Sequence, residues 1–194
     1  MRTTADQLRA DARSNRDQIL RAALEVFCER GANVPMKDIA DRAGVGVGTL
    51  YRRFPDRDAL LTATAAAHMA NIVELVTTAR REEPTAWSAL CRVLRECAEM
   101  QLGAQAAAIE PAAHQLVKDD PAVTKTRNLL FDQLRQLIDH AHTDGDLRPD
   151  IGLPDIEVLM MLQIPAHTES RPDTVDRVVG IILDGIRAQG DSRS

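Results

Sequence analysis

Aromatic side chains are scarce in this chain of 194 residues: one Trp, one Tyr and three Phe. Runs of β-branched residues are scarce too, whereas Ala, Leu, Arg, Glu and Asp are plentiful. Sheets draw on β-branched and aromatic pairs, and helices on the residues abundant here, so the shortfall points to an all-α chain. Cysteine is equally thin. Cys28, Cys91 and Cys97 are odd in number and lack C-x-x-C spacing. That argues against a disulfide frame or a zinc site and reads them as small buried hydrophobes in a reducing compartment. No unbroken apolar run approaches the roughly 20 residues of a membrane span. The charged start "MRTTADQLRADARSNRD" has no signal-peptide core. A soluble, cytoplasmic protein is therefore expected. No Ser/His/Asp, Cys/His or paired-carboxylate arrangement stands out, so the chain is not expected to be an enzyme, nor to need a cofactor or a metal. Internal repeats, low-complexity tracts and convincing strands are also missing.

What is present is an ordinary globular balance, 44% apolar and 27% charged residues, enough for a real core. The net charge of −5 hides an asymmetry. Residues 1–80 carry 12 Lys+Arg against 10 Asp+Glu, and residues 81–194 carry 12 against 19. A mildly basic front on an acidic body suits a front half that meets an anion.

Apolar residues recur at helical spacing along most of the chain. Ile19, Ala23 and Phe27, with Leu20 and Leu24 beside them, form a stripe that Gly31 ends. Pro35 suits the first turn of a short second helix, whose Ile39, Ala40 and Ala43 face inward before Gly44. A third short helix carries Leu50 and Phe54, Pro55 ends it, and Asp56 is placed to cap the next. A long helix follows, with Leu61, Ala65, His68, Met69, Ile72 and Val76 repeating until Pro84. A fifth uses Leu90, Leu94, Cys97, Ala98, Gln101 and Leu102, and a short segment spans 104–110 before Pro111. Another long one uses Val123, Leu130, Phe131, Leu134, Leu137, Ile138 and Ala141. After the loop "GDLRPDIGLPD" come two helices apolar over more than half their surface, "IEVLMMLQI" and "VDRVVGIILDGI", and a loose tail from about Gly190.

The segment "GVGVGTLYRRFP", residues 44–55, is the most informative. A phosphate-binding loop wants a strand before its glycines and usually a Lys after them. Here a helix precedes, no Lys follows, and no βαβ unit surrounds the run. The order helix, short helix, tight glycine turn, short helix is that of a helix-turn-helix braced by a first helix. Gly44 suits the left-handed residue of the turn. Gly46 and Gly48 keep side-chain bulk away from the start of the third helix, so that its backbone can approach a DNA groove. Tyr51, Arg52 and Arg53 supply a phenol and two guanidiniums for phosphates and base edges.

"AGVGVGTLYRRFPDRDALL" resembles the TetR-type transcriptional regulators. Ile39-Ala40, Ala43-Gly44-Val45, Gly48-Thr49-Leu50-Tyr51 and Phe54 match that family's signature, and "ILRAALEVFCERG" is similar to its first helix. The resemblance is specific over residues 14–62. Gly46 departs from it where a Ser is common, Pro35 where a capping Ser or Thr is common, and Arg53 where a His is frequent. The resemblance implies about nine helices. Residues 1–56 would form a helix-turn-helix DNA-binding domain, with 1–14 flexible, and residues 57–194 a helical effector-binding and dimerisation domain. It implies that Val47, Gly48, Thr49 and Arg52 face bases and that Lys37, Tyr51, Arg53 and Arg57 hold phosphates. The competing reading makes Tyr51 a core residue and the arginines plain solvated charges. Arg2, Arg9 and Arg13 form either an arm toward a groove or a solvated start.

The implied function is a repressor released from a palindromic operator by a small-molecule effector. Residues Trp87, Met100, His114, Leu116, Phe131, Met161 and His167 are candidate liners of an apolar or aromatic effector's pocket, against plain core or surface packing. The last two helices, about 154–188, are expected to pair two copies as a four-helix bundle, with Gly180 and Gly185 allowing close approach. The long helix near 57–81 would link pocket to DNA head. Two other function classes remain at this point: a helical dimeric interaction module without DNA binding, and a nucleotide-binding enzyme using the glycines.

Overall fold

The computed structural model describes residues 4–99, 120–162 and 172–188, with side chains described from residue 14 onward. Eight helices and no strand occur among them: α1 (Thr4–Arg30), α2 (Met36–Arg42), α3 (Val47–Arg53), α4 (Arg57–Glu82), α5 (Ala86–Glu99), α6 (Pro121–Thr143), α7 (Leu153–Met160) and α8 (Pro172–Ile186). The expected all-α class is thus found, with a helix count close to that read from the sequence. The expected segment at 104–110, the inward Gln101 and Leu102, and the tail from Gly190 lie outside the described residues.

The chain divides into two compact units. The described part of the first comprises residues 4–68 and 120–124; that of the second comprises 69–99, 125–162 and 172–188. In the first, α1 packs on α2 and α2 on α3. The stripe Ile19, Ala23, Phe27 meets Ile39, Ala40, Leu50, Leu60 and Leu61 in one core. Each turn has a local cause. Gly31 ends α1 at φ 78° and Gly44 ends the α2 turn at φ 65°, a left-handed conformation that costs side-chain-bearing residues about 1 kcal/mol or more. Pro35 stands one position before the expected first turn, as the N-cap of α2 at φ −61°. Asp56 caps α4 as read, its carboxylate accepting from the Ala59 N–H at 2.7 Å. α1 begins at Thr4, well upstream of the first buried stripe residue, Ile19; its opening turns lack the apolar spacing that marks a core-facing helix.

In the second unit, α5 packs on α7 and α8. Its core holds Ile72, Val76, Leu90, Leu94, Leu134, Ile138, Leu147, Ile156 and Leu183. Thr85 and Ser88 cap α5 reciprocally, each side-chain oxygen accepting from the other's backbone N–H at 3.0–3.1 Å. Arg92 ties α5 to the end of α4 through Glu82 at 2.9 Å and Glu83 at 3.3 Å. α4 is long and apolar enough to cross a membrane by length and composition, a property that a search for unbroken apolar runs passes over. It is a core helix: Leu60 and Leu61 are buried in the first unit, and Ile72, Val76 and Ala79 in the second. Cys91 and Cys97 are buried as expected, and burial pushes the Cys97 thiol up to about 12. Cys28 is exposed instead, because it falls just outside the Phe27 stripe.

Candidate nucleic-acid interface

α2, the glycine turn and α3 form the candidate site. Backbone bonds close the turn: Gly44 N–H to Asp41 O at 3.1 Å and Val45 N–H to Ala40 O at 3.0 Å. α3 starts after Gly46, and its N-cap has no side-chain acceptor. Leu50 is the one α3 residue that is buried. Phe54, just past the helix, is buried as well. These two apolar anchors, four residues apart, fix one face of α3 inward.

The opposite face is free. Tyr51 is 47% exposed, so it is not a core residue. Gly48, Arg52 and Arg53 are exposed, and Val47 and Thr49 are half-buried at the helix's flank. A Cβ at Gly48 would meet nothing within 4 Å, and one at Gly46 only the Thr49 hydroxyl at 3.9 Å. The subunit therefore makes no steric demand for glycine at either place. Lys37, exposed in the first turn of α2, adds a cation to the same unit. Arg57 has another engagement: it is half-buried, and its Nη1 donates to the Ala32 carbonyl at 2.8 Å, joining the start of α4 to the α1–α2 loop.

Sequence reasoning missed the braces that hold this surface. Arg42 at the end of α2 forks onto Glu29, with contacts of 2.9 and 2.6 Å, and reaches Glu25 at 3.3 Å. The Arg42 hydrogen bond holds the Glu29 carboxyl below its usual range. Arg30 pairs with Asp38 at 2.9 Å. Glu25 and Glu29 stand four apart on α1, a spacing that puts both carboxylates on one face and was open to recognition. His68 was read only as part of a stripe. It is buried, and neither ring nitrogen has a hydrogen-bond partner. Burial pushes its pKa down.

Of the candidate effector-pocket residues, Met100, His114, Leu116 and His167 lie outside the described residues. Trp87 is half-buried against the second core, with the Arg187 guanidinium 5.8 Å above its ring. Phe131 is half-buried against the same core, and Met161 is exposed at the end of α7. An open depression of about 550 Å³ runs along α5, lined by Trp87, Ser88, Cys91 and the charged Arg92, Arg95 and Glu96 among others. Trp87 borders it; Phe131 and Met161 do not.

The last two helices each bury one apolar face, and α7 carries a second, outer one. Ile156 and Met160 of α7 and Val179, Leu183 and Ile186 of α8 are buried. On the outer side Val158 is 67%, Met161 44%, Leu162 40% and Ile181 65% exposed. Gly185 is exposed one turn beyond Ile181, and a Cβ there would meet nothing within 4 Å.

Comparison with known proteins agrees with this architecture. Residues 19–64 match the family described as bacterial regulatory proteins, tetR family. Residues 83–188 match the transcriptional regulator SbtR-like C-terminal domain. A crystal structure of a TetR transcription regulatory protein from Mycobacterium vanbaalenii is similar at 31% identity and a TM-score of 0.71, covering 93% of this chain and 99% of that one. A TetR transcriptional regulator from Streptomyces coelicolor is similar at 32% identity and a TM-score of 0.66, covering 90% and 99%. A helix-turn-helix transcriptional regulator of Staphylococcus aureus is 44% identical over 54 residues, 27% of this chain and 29% of the relative's own length.

Proposed function

Because the chain belongs to the TetR family of bacterial regulatory proteins and is a helix-turn-helix transcriptional regulator, we propose that it acts in the cytoplasm as a dimeric repressor. It holds a palindromic operator through α3 and releases it when a small apolar or aromatic molecule binds the helices that follow α3. The observation that carries this reading is the division of α3: Leu50 alone is buried, and Tyr51, Arg52 and Arg53 stand in solvent. In this reading Val47, Gly48, Thr49 and Arg52 face base edges, and Lys37, Tyr51 and Arg53 take phosphates. Arg57, also carried over as a phosphate contact, acts first as the brace to Ala32.

One α3 touches few base pairs, so a second copy is needed, about 34–36 Å away along the duplex. The outer faces of α7 and α8 are the proposed seam. The exposed Val158, Met161 and Leu162 at α7, with Ile181 of α8, are more than scattered surface hydrophobes, and a twofold would bury them as a four-helix bundle. Effector binding would act by population shift, favouring a form of the dimer that fits DNA less well. α4, whose residues enter both cores, is the proposed carrier of that change.

Selection of bound duplexes from a random pool tests the proposal. A palindromic motif is expected. Tyr51→Ala and Arg52→Ala should each weaken binding to that motif by about tenfold or more without loss of helicity. No enriched motif, or full affinity in both variants, would overturn the assignment of α3.

A further inference from the structure

Loop 144–152, which holds the "GDLRPD" segment, makes an unusual set of bonds. Its backbone pairs with the chain just after α8: Leu147 and Arg187 form an antiparallel bridge, Ala188 N–H donates to Asp146 O at 2.8 Å, and Arg148 N–H donates to Ile186 O at 3.0 Å. The Arg148 side chain adds a second layer. Its Nε and Nη2 fork onto the Asp150 carboxylate at 3.0 and 2.6 Å, and its Nη1 donates to the Gly185 carbonyl at 2.8 Å. Asp150 stands two residues before Gly152, which opens α7; Gly185 lies in the last turn of α8. One guanidinium therefore joins the entry of α7 to the exit of α8. A cation at a helix C-terminus also complements the dipole there.

The two joined helices are those that carry exposed apolar side chains, Val158, Met161 and Leu162 at α7 and Ile181 on α8. These make one face only if the rotation of α7 against α8 is fixed. Gly185 lies one turn beyond Ile181 on the exposed side of α8 and is itself the gripped residue. Arg148 is 45% exposed, whereas neighbouring Leu147, 2% exposed, fills the core. The backbone bridge needs no arginine side chain. These facts separate the side chain's work from that of holding the subunit together.

We propose that Arg148 is a positioning residue of the subunit interface, fixing the Val158–Met161 stripe of α7 and the exposed Ile181 of α8 in the one arrangement that a second copy of this chain can match. The inference rests on reading α7 and α8 as the dimer seam. Asp150 orients the guanidinium, and the Gly185 carbonyl receives it. Removing the fork leaves α7 and α8 folded but lets their outer faces drift.

The test uses the full chain with Arg148→Gln, Asp150→Asn and Ile181→Glu, measuring the dimer dissociation constant by sedimentation across a dilution series, beside far-UV circular dichroism and thermal midpoint. Arg148→Gln should raise the dissociation constant about tenfold, since each dimer loses two charge-assisted clamps, with the midpoint within about 3 °C of the parent. Asp150→Asn should move it in the same direction by less. The single tryptophan reports locally, because Trp87 lies under Arg187, the bridge partner of Leu147. Its emission should shift in Arg148→Gln at unchanged helicity. Ile181→Glu, placed directly in the outer face, should give monomers. If it does and Arg148→Gln leaves the dissociation constant unchanged, the role of Arg148 is refuted and the dimer seam stands. If Ile181→Glu leaves the dimer intact, the seam itself is wrong and the inference falls with it. Should Arg148→Gln lose helicity, Asp150→Asn decides on the same criterion.

Discussion

Gly48 offers a clean separation of folding from binding. Nothing stands where its Cβ would be, and alanine suits a helix better than glycine. Gly48→Ala should leave the thermal midpoint unchanged or raise it, by at most about 1 kcal/mol of helix propensity, yet lower operator affinity at least about tenfold if a groove wall lies against that backbone. Fluorescence anisotropy with a labelled operator, beside a thermal melt, checks both halves. His68 makes the reverse case, a cost inside the fold. Its ring is buried without partners and its pKa is lowered by burial. The unfolded chain takes up that proton near the ordinary value of about 6.5 while the folded chain resists it. Stability from this site is complete above that pH and declines as the pH falls below it, until the folded ring protonates too. His68→Leu should flatten the loss of thermal midpoint between about pH 7 and 5; equal slopes in parent and variant would contradict this. The glycine at a left-handed turn was legible in the sequence, because only backbone sterics decide it. The unpartnered imidazole was not, because burial depends on what packs around α4. The bond of Arg57 to the Ala32 carbonyl was out of reach for the same reason: its acceptor lies 25 residues away.

At the scale of elements, α3 depends on two anchors, Leu50 within it and Phe54 just past its end. Leu50→Ala should cost about 2–5 kcal/mol of stability through the cavity it leaves, visible as a lower urea midpoint. Operator binding should be lost with it. Tyr51→Ala, by contrast, should lose binding at an unchanged midpoint. The short helices and the glycine turn could be read because caps, breakers and the Leu50/Phe54 pair lie within a dozen residues. The braces between elements could not. Arg42 finds Glu29 across the α1–α2 packing, and Arg148 finds Gly185 across 37 residues. The start of α1 was also hidden, since its opening turns carry no apolar period to read.

For the molecule as a whole, charge decides how binding responds to salt. The chain carries −5 overall, so a generic affinity for polyanions is not built in. In the proposed complex, contact would rest on a few cations near α3. With Lys37, Arg52 and Arg53 engaged in both subunits, operator affinity should fall about a thousandfold between 50 and 200 mM salt. A titration at four salt concentrations gives the slope, and a nearly flat line would show that these cations do not meet phosphates. The fold class and the helix-turn-helix were legible because helical periodicity and the glycine turn are local signals. A pocket for the proposed effector was not, since a cavity is assembled from distant side chains that no spacing rule brings together.

The economy of α3 has an evolutionary corollary. Because Leu50 and Phe54 moor it to the body and Val47 rests on the same core, the exposed positions of this short segment are at liberty to change without endangering the subunit. If α3 reads the bases as proposed, a gene duplicate could acquire a new target by swapping Thr49 and Arg52 while Val47 keeps its place against the core. The same freedom lets an engineer graft another regulator's outward letters onto this scaffold while every interior residue stays as it is.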